Sequence, residues 1–121
     1  MNKPISRQQH GLADYTYAPL VATAPETLGF SDNQTATNLC RLLGGAVLAA
    51  TLLTRAEWGL VKAIPFKTHL TLDVISGALA AAAPWLFGFS GNTRARNAFL
   101  VMGATSLVVG GVLTQPDEMP R

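Results

Sequence analysis

Charge is the property this sequence has least of. Charged residues make up 13% of the chain, whereas a soluble domain usually carries about 25%. Almost half of the residues, 49%, are hydrophobic, and the mean hydropathy is positive. A surface that faces something other than water accounts for the missing charge, and lipid is the simplest such environment. We therefore expect a membrane protein.

Cysteine and the common catalytic motifs are also scarce or missing. The single Cys40 excludes an intrachain disulfide. It lies in an apolar run, which favours a small core or lipid-facing residue over a reactive thiol. The chain contains no CxxC motif, no phosphate-binding glycine loop and no recognisable pairing of a nucleophile with a base. We predict that the protein is not an enzyme and needs no cofactor.

A strongly basic surface is missing as well. The net charge is only +2, and the basic residues are scattered along the chain. Proteins that bind nucleic acids concentrate Lys and Arg on one surface to contact the phosphates. A nucleic-acid partner is therefore not predicted.

What the chain does contain is one stretch that occurs twice. Residues 10–30, HGLADYTYAPLVATAPETLGF, are followed 59 residues later by residues 69–89, HLTLDVISGALAAAAPWLFGF. The same shift, held without a gap, matches these pairs: His10 with His69, Asp14 with Asp73, Pro25 with Pro84, Gly29 with Gly88, Asn33 with Asn92 and Gly44 with Gly103. Such a register indicates duplication of one unit. We predict a single membrane domain over 1–121, with repeat 1 at about 10–54, a connection at 55–68 and repeat 2 at about 69–113.

Four apolar segments fall within the two repeats. They are Gly11–Leu28, Asn38–Thr54, Leu70–Phe89 and residues 98–113. The third is long enough to cross a hydrocarbon core of about 30 Å, and the shorter second and fourth are expected to recruit flanking Asn and Thr residues or to lie in thinner bilayer. A soluble four-helix bundle is the alternative, but it needs a polar face on every helix, and residues 74–89 and 98–113 contain no charge. The sequence thus predicts an all-α polytopic membrane protein with four transmembrane helices.

The distribution of basic residues predicts the orientation. Residues 55–68 mix charged and apolar side chains, which is typical of a short interfacial segment, and Pro65 is expected to end it. Six basic residues would share one side of the bilayer: Lys3, Arg7, Arg55, Lys62, Lys67 and Arg121. Only Arg41, Arg94 and Arg96 would lie on the other side. The positive-inside rule then places both termini and the connection in the cytoplasm.

Each repeat begins with a His–Asp pair followed by small residues. The spacing of four places His10, Asp14, Ala18 and Ala22 on one helix face, and likewise His69, Asp73, Gly77 and Ala81. Small residues at this spacing let helices approach closely in lipid. We expect the first and third helices to meet along these faces and to bring the two pairs together. Gly44, Gly45 and Gly103 are candidates for the same role on the other two helices.

The residues of the two pairs permit three interpretations. In the structural one, each His donates to its own Asp, or each Asp caps the start of its helix, and the pair fixes helix depth and register. In the second, two His and two Asp residues form a metal or haem site between facing helices. In the third, they form a proton-linked site within the membrane. The structural interpretation is favoured, and the sequence leaves the other two open.

Prolines and aromatic residues predict where the helices meet the interface. Pro25 and Pro84 come near the far ends of the first and third helices, where a proline can stop or kink the chain. Trp85 fits an aromatic belt at the outer interface, and Trp58 fits an anchor within the connection.

The segment Ala83-Pro84-Trp85-Leu86-Phe87-Gly88-Phe89-Ser90 resembles the SPW-repeat family of small bacterial integral membrane proteins, named for a Ser-Pro-Trp tripeptide in a duplicated two-helix unit. The helix starts containing His10 with Asp14 and His69 with Asp73 are also similar to those of the family. The likeness covers about 10–113, although Ala83 replaces the Ser and the first copy reads Ala24-Pro25-Glu26. It implies a four-helix protein of the bacterial plasma (inner) membrane and supplies no biochemical activity.

The expected role is therefore that of a small structural or accessory subunit without catalytic activity. Such a subunit would pack in the lipid bilayer against further copies of itself or against a larger membrane complex. Two alternatives from other classes use the His–Asp pairs. One is proton-coupled or small-solute transport, and the other is a haem- or metal-binding membrane accessory protein.

Overall fold

The computed structural model describes residues 3–120, and the regular elements within that range are helices. They are α1 (Arg7–Thr27), α2 (Gln34–Leu52), α3 (Phe66–Leu86) and α4 (Thr93–Val108), which a π-helical segment, Val109–Leu113, continues. The all-α prediction is confirmed. The predicted helix starts were four or five residues too late, because the first turns are mostly polar, with Phe66 in α3 the main exception, and carry no apolar periodicity.

The helix ends use equivalent residues in the two halves. The side chains of Asn33 and Asn92 accept the backbone N–H of Ala36 and Ala95 and so cap α2 and α4. Ser6 begins α1 in a capping box with Gln9. Gly29 and Gly88 follow α1 and α3 with φ of 77° and 76°, a conformation that glycine adopts without steric cost. Pro25 and Pro84, expected near these ends, lie inside the last turns and stop neither helix.

Three of the helical segments are long and apolar enough to cross a membrane: Gln34–Leu52, Phe66–Leu86 and Thr93–Leu113. Helix α1 has the same length as α3, 21 residues, but it contains Arg7, Asp14 and Glu26 and is more polar. Of the four predicted transmembrane helices, three therefore have the length and composition of membrane spans.

The close helix contacts lie within each half of the chain. Helix α1 packs chiefly on α2, and α3 packs chiefly on α4. A Cβ atom added at Gly44 would lie 2.8 Å from the carbonyl oxygen of Ala18, and one added at Gly103 would lie 2.6 Å from that of Gly77. The small-residue faces of α1 and α3 thus contact α2 and α4. The prediction that these small residues contact each other was wrong, because the close approaches at Gly44, Gly77 and Gly103 all lie within a hairpin.

An apolar core joins the two halves at the end of the bundle where α1 and α3 finish. Phe89 and Phe99 are in edge contact there with ring centroids 5.0 Å apart, and Phe30 is fully buried in the same cluster. Cys40 belongs to this core and has no exposed surface. This thiol is a packing residue.

At the opposite end of the bundle, backbone contacts connect the beginning of each half to the end of the other half. Residues 53–65 contain turns and no helix, and this connection ends at Pro65, as predicted, directly before the first turn of α3. Thr54 and Ile64 form one isolated parallel bridge, and Ile5 and Thr114 form the other. Ile5, two residues before α1, therefore pairs with the end of the second half, and Ile64, two residues before α3, pairs with the end of the first.

Candidate functional site

Two histidines and two aspartates meet in the interior, near the beginnings of α1 and α3. The Nε2 atom of His10 lies 2.9 Å from Oδ2 of Asp73 and 3.1 Å from Oδ2 of Asp14. The Nε2 atom of His69 lies 2.7 Å from Oδ2 of Asp14 and 3.5 Å from Oδ2 of Asp73. Both imidazoles are 1% exposed. We call this closed arrangement of His10, Asp14, His69 and Asp73 the His–Asp ring.

The shortest contacts in the ring cross between the helices. Spacing alone suggested that each His would bind the Asp four residues later on its own helix. Each His is instead nearer to the Asp of the other helix. The ring therefore joins α1 to α3, which share few backbone contacts. Sequence spacing can place both groups on one helix face but cannot show which partner is nearer.

Two threonines hold the outer nitrogen of each imidazole. Nδ1 of His10 lies 2.9 Å from the hydroxyl oxygen of Thr114, and Nδ1 of His69 lies 2.8 Å from that of Thr54. Both threonines are almost fully buried. The sequence did not predict these contacts, because the shift of 59 residues that relates the repeats pairs Thr54 with Leu113 and not with Thr114.

The π-helical segment accounts for that difference of one residue. The Thr54 hydroxyl donates to the carbonyl of Ala50, four residues earlier, at 2.5 Å, as in an α-helix. The Thr114 hydroxyl donates to the carbonyl of Val109, five residues earlier, at 2.6 Å. The wider π turn holds one additional residue, so Thr114 reaches His10 as Thr54 reaches His69. Single π turns inside α-helices are frequently found at functional sites.

Aromatic side chains cover the ring at the end of the bundle that carries the connection. Phe66 is fully buried, stacks on His69 and contacts the edge of His10. Trp58 lies against His69 with centroids 5.6 Å apart, and its indole N–H donates to the carbonyl oxygen of Arg7. Gly11 leaves room for Trp58, since a Cβ atom there would lie 2.1 Å from the indole. Trp58, predicted as an interface anchor, therefore also forms part of the cover.

Two ion pairs near this aromatic cover connect segments that are far apart in the sequence. Arg7 and Glu57 are paired at 2.6 Å, and Arg55 and Glu118 approach to 3.5 Å. The hydrogen bond from Arg7 lowers the pKa of Glu57 to about 2. The Glu118 carboxylate also accepts the backbone N–H groups of Phe66 and Lys67, at the positive end of the α3 dipole. The beginning of the chain, the connection and the residues after the π turn are thereby held together.

A cavity of about 220 Å³ reaches the ring from the side, between α1 and α4. His10, Asp14 and Asp73 line its polar end, and Tyr17, Leu20 and Thr105 are among the residues along its length. The π turn forms part of its wall at Gly110, where a Cβ atom would lie 2.6 Å from that of Asp73. The ring is thus closed at the end of the bundle and open toward this lateral cavity.

The remaining predicted residues lie away from the ring. Ala18 and Ala22 pack on Gly44, Gly77 and Ala81 pack on Gly103, and Gly45 faces open space. Pro25 and Pro84 are fully buried, whereas Trp85 is 58% exposed near the end of α3. Arg41 forms an exposed ion pair with Glu26 at 2.6 Å.

The helices and the buried ring define a class: a multi-pass α-helical membrane protein built from two equivalent hairpins joined by buried polar groups. The model of the SPW repeat domain matches residues 8–113. The chain therefore belongs to the SPW-repeat family, and the suspected resemblance is confirmed. No curated protein and no solved structure matches the chain.

Proposed function

We propose that the protein is a structural subunit of the bacterial inner membrane, without catalytic activity, in which the His–Asp ring fastens the two hairpins to each other. The ring itself carries this proposal. Its four side chains come from α1 and α3 and contact one another across the boundary between the halves. Among residues 3–120, no buried side-chain nitrogen or oxygen is left without a hydrogen-bond partner. Buried polar groups that satisfy one another favour a single arrangement of the helices.

The proposal includes four membrane spans, with α1 as the fourth. Twenty-one helical residues extend about 31 Å, which matches the hydrocarbon thickness. The positions of the polar residues of α1 support this assignment. His10 and Asp14 belong to the buried ring. Arg7 and Glu26 lie at the two ends of the helix. With four spans, both termini and the connection lie on the cytoplasmic side. Arg121, one of the basic residues behind this orientation, lies outside the described residues.

The outer surface supports packing against other membrane helices. A groove of about 700 Å³ runs between α1 and α4, and another of about 290 Å³ runs between α2 and α3. Leu20, Val101 and Leu79 line these grooves and are exposed. Helices associate in lipid by filling such grooves. Further copies of the chain or helices of a larger membrane complex would fill them.

Mild extraction tests the subunit role. The tagged protein, taken from its native membrane into lipid nanodiscs, should elute either as a homo-oligomer or in a stoichiometric complex with another membrane protein. Mass measurement of the particles and protein staining distinguish the two. A monomer accompanied by no other protein, obtained repeatedly from native membrane, would disprove the subunit role.

A second candidate function, proton-coupled or small-solute transport, is favoured by the lateral cavity that ends at Asp14 and Asp73. Vesicles containing the protein should then show a proton or solute flux. Changing both aspartates to Asn should abolish the flux while the protein remains folded and inserted. If the double variant instead fails to assemble in the membrane, the fastening role is favoured.

A further inference from the structure

The threonine hydroxyls determine which nitrogen of each imidazole carries a proton. A hydroxyl has one hydrogen, and Thr54 and Thr114 donate theirs to the carbonyls of Ala50 and Val109. Each threonine oxygen can therefore only accept from the histidine beside it. It follows that Nδ1–H of His10 and of His69 is the donor in both contacts.

This assignment leaves Nε2 of each neutral imidazole with a lone pair and no hydrogen. That lone pair points toward carboxylate oxygens, which also offer lone pairs. Four electron-pair donors thus converge on one point, and they repel one another unless something positive lies between them. Protons at both Nε2 atoms would supply the positive charge, and so would a single cation at the centre.

We infer that the His–Asp ring is the binding site of one divalent transition-metal ion, best suited to Zn²⁺, held by Nε2 of His10 and His69 and by one carboxylate oxygen each of Asp14 and Asp73. Imidazole and carboxylate together are ligands that Zn²⁺ accepts in four-coordinate sites. One divalent cation balances the two carboxylates while both imidazoles remain neutral. A buried site costs least when it carries no net charge, and the ion meets this condition without charging either imidazole.

The dimensions of the ring fit such an ion. Ligand bonds of about 2.0–2.1 Å in a tetrahedral site place neighbouring ligand atoms about 3.3 Å apart. The four N–O separations are 2.9, 3.1, 2.7 and 3.5 Å, and one ligand atom from each residue lies within 4.8 Å of all the others. The four N–O separations thus lie close to the tetrahedral value, and small side-chain rotations would bring the N–N and O–O separations, which are within 4.8 Å, to the same value.

The surroundings match those of a metal site with fixed ligands. A metal-binding histidine usually donates its second N–H to a nearby acceptor, which fixes the ring orientation. Thr54 and Thr114 are those acceptors here, and the π turn is what brings Thr114 to His10. Phe66 and Trp58 exclude water on one side, and the lateral cavity of about 220 Å³ gives the ion an entry path.

This inference rests on the proposed fastening role, because an ion bound by both halves would strengthen the same connection between α1 and α3. The fastening role requires only that the ring be closed, whereas the inference states that a metal ion closes it. A ring closed by protons alone would fasten the hairpins without taking up any metal.

The test is titration of the intact protein in lipid nanodiscs with Zn²⁺ after treatment with a chelator. About one Zn²⁺ per chain should bind, and Co²⁺ in its place should give the intense visible absorption of a tetrahedral site. His69→Gln should abolish stoichiometric binding. Cys40→Ala should retain it, because Cys40 belongs to the core at the other end of the bundle.

A second pair of variants keeps the test decisive if His69→Gln fails to fold. Thr54→Val and Thr114→Val leave all four ligands in place and remove only the acceptors of Nδ1–H, so each should weaken Zn²⁺ binding by about 10–100-fold. Thr23→Val is the matched control, because the Thr23 hydroxyl makes the same type of helix bond at an exposed position that does not line the lateral cavity. It should leave the affinity unchanged.

Three results would overturn the inference: no Zn²⁺ uptake by the folded wild-type protein, uptake that His69→Gln leaves intact, or equal affinity in the Thr54, Thr114 and Thr23 variants. Extraction of the native complex provides a separate readout. A stoichiometric complex that takes up no metal would disprove the metal site and leave the subunit role standing. A monomer that binds one Zn²⁺ would do the reverse.

Discussion

At the scale of single residues, the protein concentrates its buried polarity in one place. His10, His69, Thr54 and Thr114 are each at most 1% exposed, and all four take part in one hydrogen-bonded system with Asp14 and Asp73. A buried donor or acceptor left unpaired costs about 1–3 kcal/mol. The system is therefore stable as a whole and sensitive to the loss of any member.

Glu57 gives a prediction about pH. Its hydrogen bond with Arg7 lowers the pKa from 4.5 to about 2 in the folded protein. A carboxylate whose pKa is lower in the folded state stabilises the protein above the unfolded pKa, and this contribution is lost as the pH falls toward 2. We expect wild type to melt at a higher temperature than Glu57→Gln at pH 6 and the difference to vanish near pH 2.

Thermal unfolding in detergent, followed by circular dichroism across this pH range, checks the expectation. Glu26→Gln is the control, because the Glu26 side chain is half exposed and its pair with Arg41 lies away from the connection. Exposed pairs contribute little to stability. A difference between wild type and Glu57→Gln that stays constant from pH 6 to pH 2 would contradict the prediction.

At the scale of helices, the close packing within each hairpin depends on glycine: on Gly44 in the first and on Gly103, facing Gly77, in the second. Gly44 allows α1 to approach α2, and Gly103 allows α3 to approach α4. The core at the far end and the His–Asp ring then join one hairpin to the other. Contacts within a hairpin and contacts between hairpins are thus made by different residues.

Adjacent glycines offer a matched test of the close helix approach. A methyl group at Gly44 would lie 2.8 Å from the Ala18 carbonyl and 2.9 Å from the Ala22 side chain, whereas nothing lies within 4 Å at Gly45. Gly44→Ala should therefore destabilise the protein by about 1–3 kcal/mol, the usual cost of overpacking. Gly45→Ala should be neutral or stabilising by up to about 1 kcal/mol, because Ala favours helix.

Equilibrium unfolding of both variants in the same detergent measures the difference. The result that contradicts the packing described above is equal stability of Gly44→Ala and Gly45→Ala.

The π turn gives a second prediction at this scale. Deleting Gly111 removes the additional residue, so the segment can become α-helical and bring the threonine hydroxyl to His10 in the way that the first half brings Thr54 to His69. We expect this deletion to be tolerated. Deleting Leu52 should not be tolerated, because the first half has no additional residue to lose. The deletion would turn Thr54 away from His69.

Yield of folded protein after extraction, together with its melting temperature, compares the two deletions. Equal loss of folded protein would show that the π turn is required for a reason other than register.

At the scale of the whole molecule, the proposed topology depends on α1 crossing the bilayer. Three segments have the length and apolar character of spans, and α1 has the length. With α1 as a span, residue 3 and residue 60 lie on the same side of the membrane. With α1 outside the bilayer, they lie on opposite sides.

Labelling from outside the cell distinguishes the two topologies. In a Cys40→Ala background, cysteines introduced at Lys3 and Leu60 should both resist a membrane-impermeant reagent in intact cells, and cysteines introduced at Asp32 and Gly91 should both react. Labelling of the same four positions after cell lysis is the control for accessibility. A cysteine at position 3 that reacts together with the one at position 32 would remove α1 from the spans.

The sequence by itself determined the helical class, the family and the residues of the ring. A repeated pattern of apolar segments is a local property, and so is the spacing of four that places His10 and Asp14 on one face. Only the tertiary structure decided three features. Each His contacts the Asp of the other helix, α1 packs on α2, and Thr54 and Thr114 accept from the histidines. The reason is physical: these contacts join residues far apart in the chain, and a single π turn changes the register by one residue without disturbing the hydrophobic pattern.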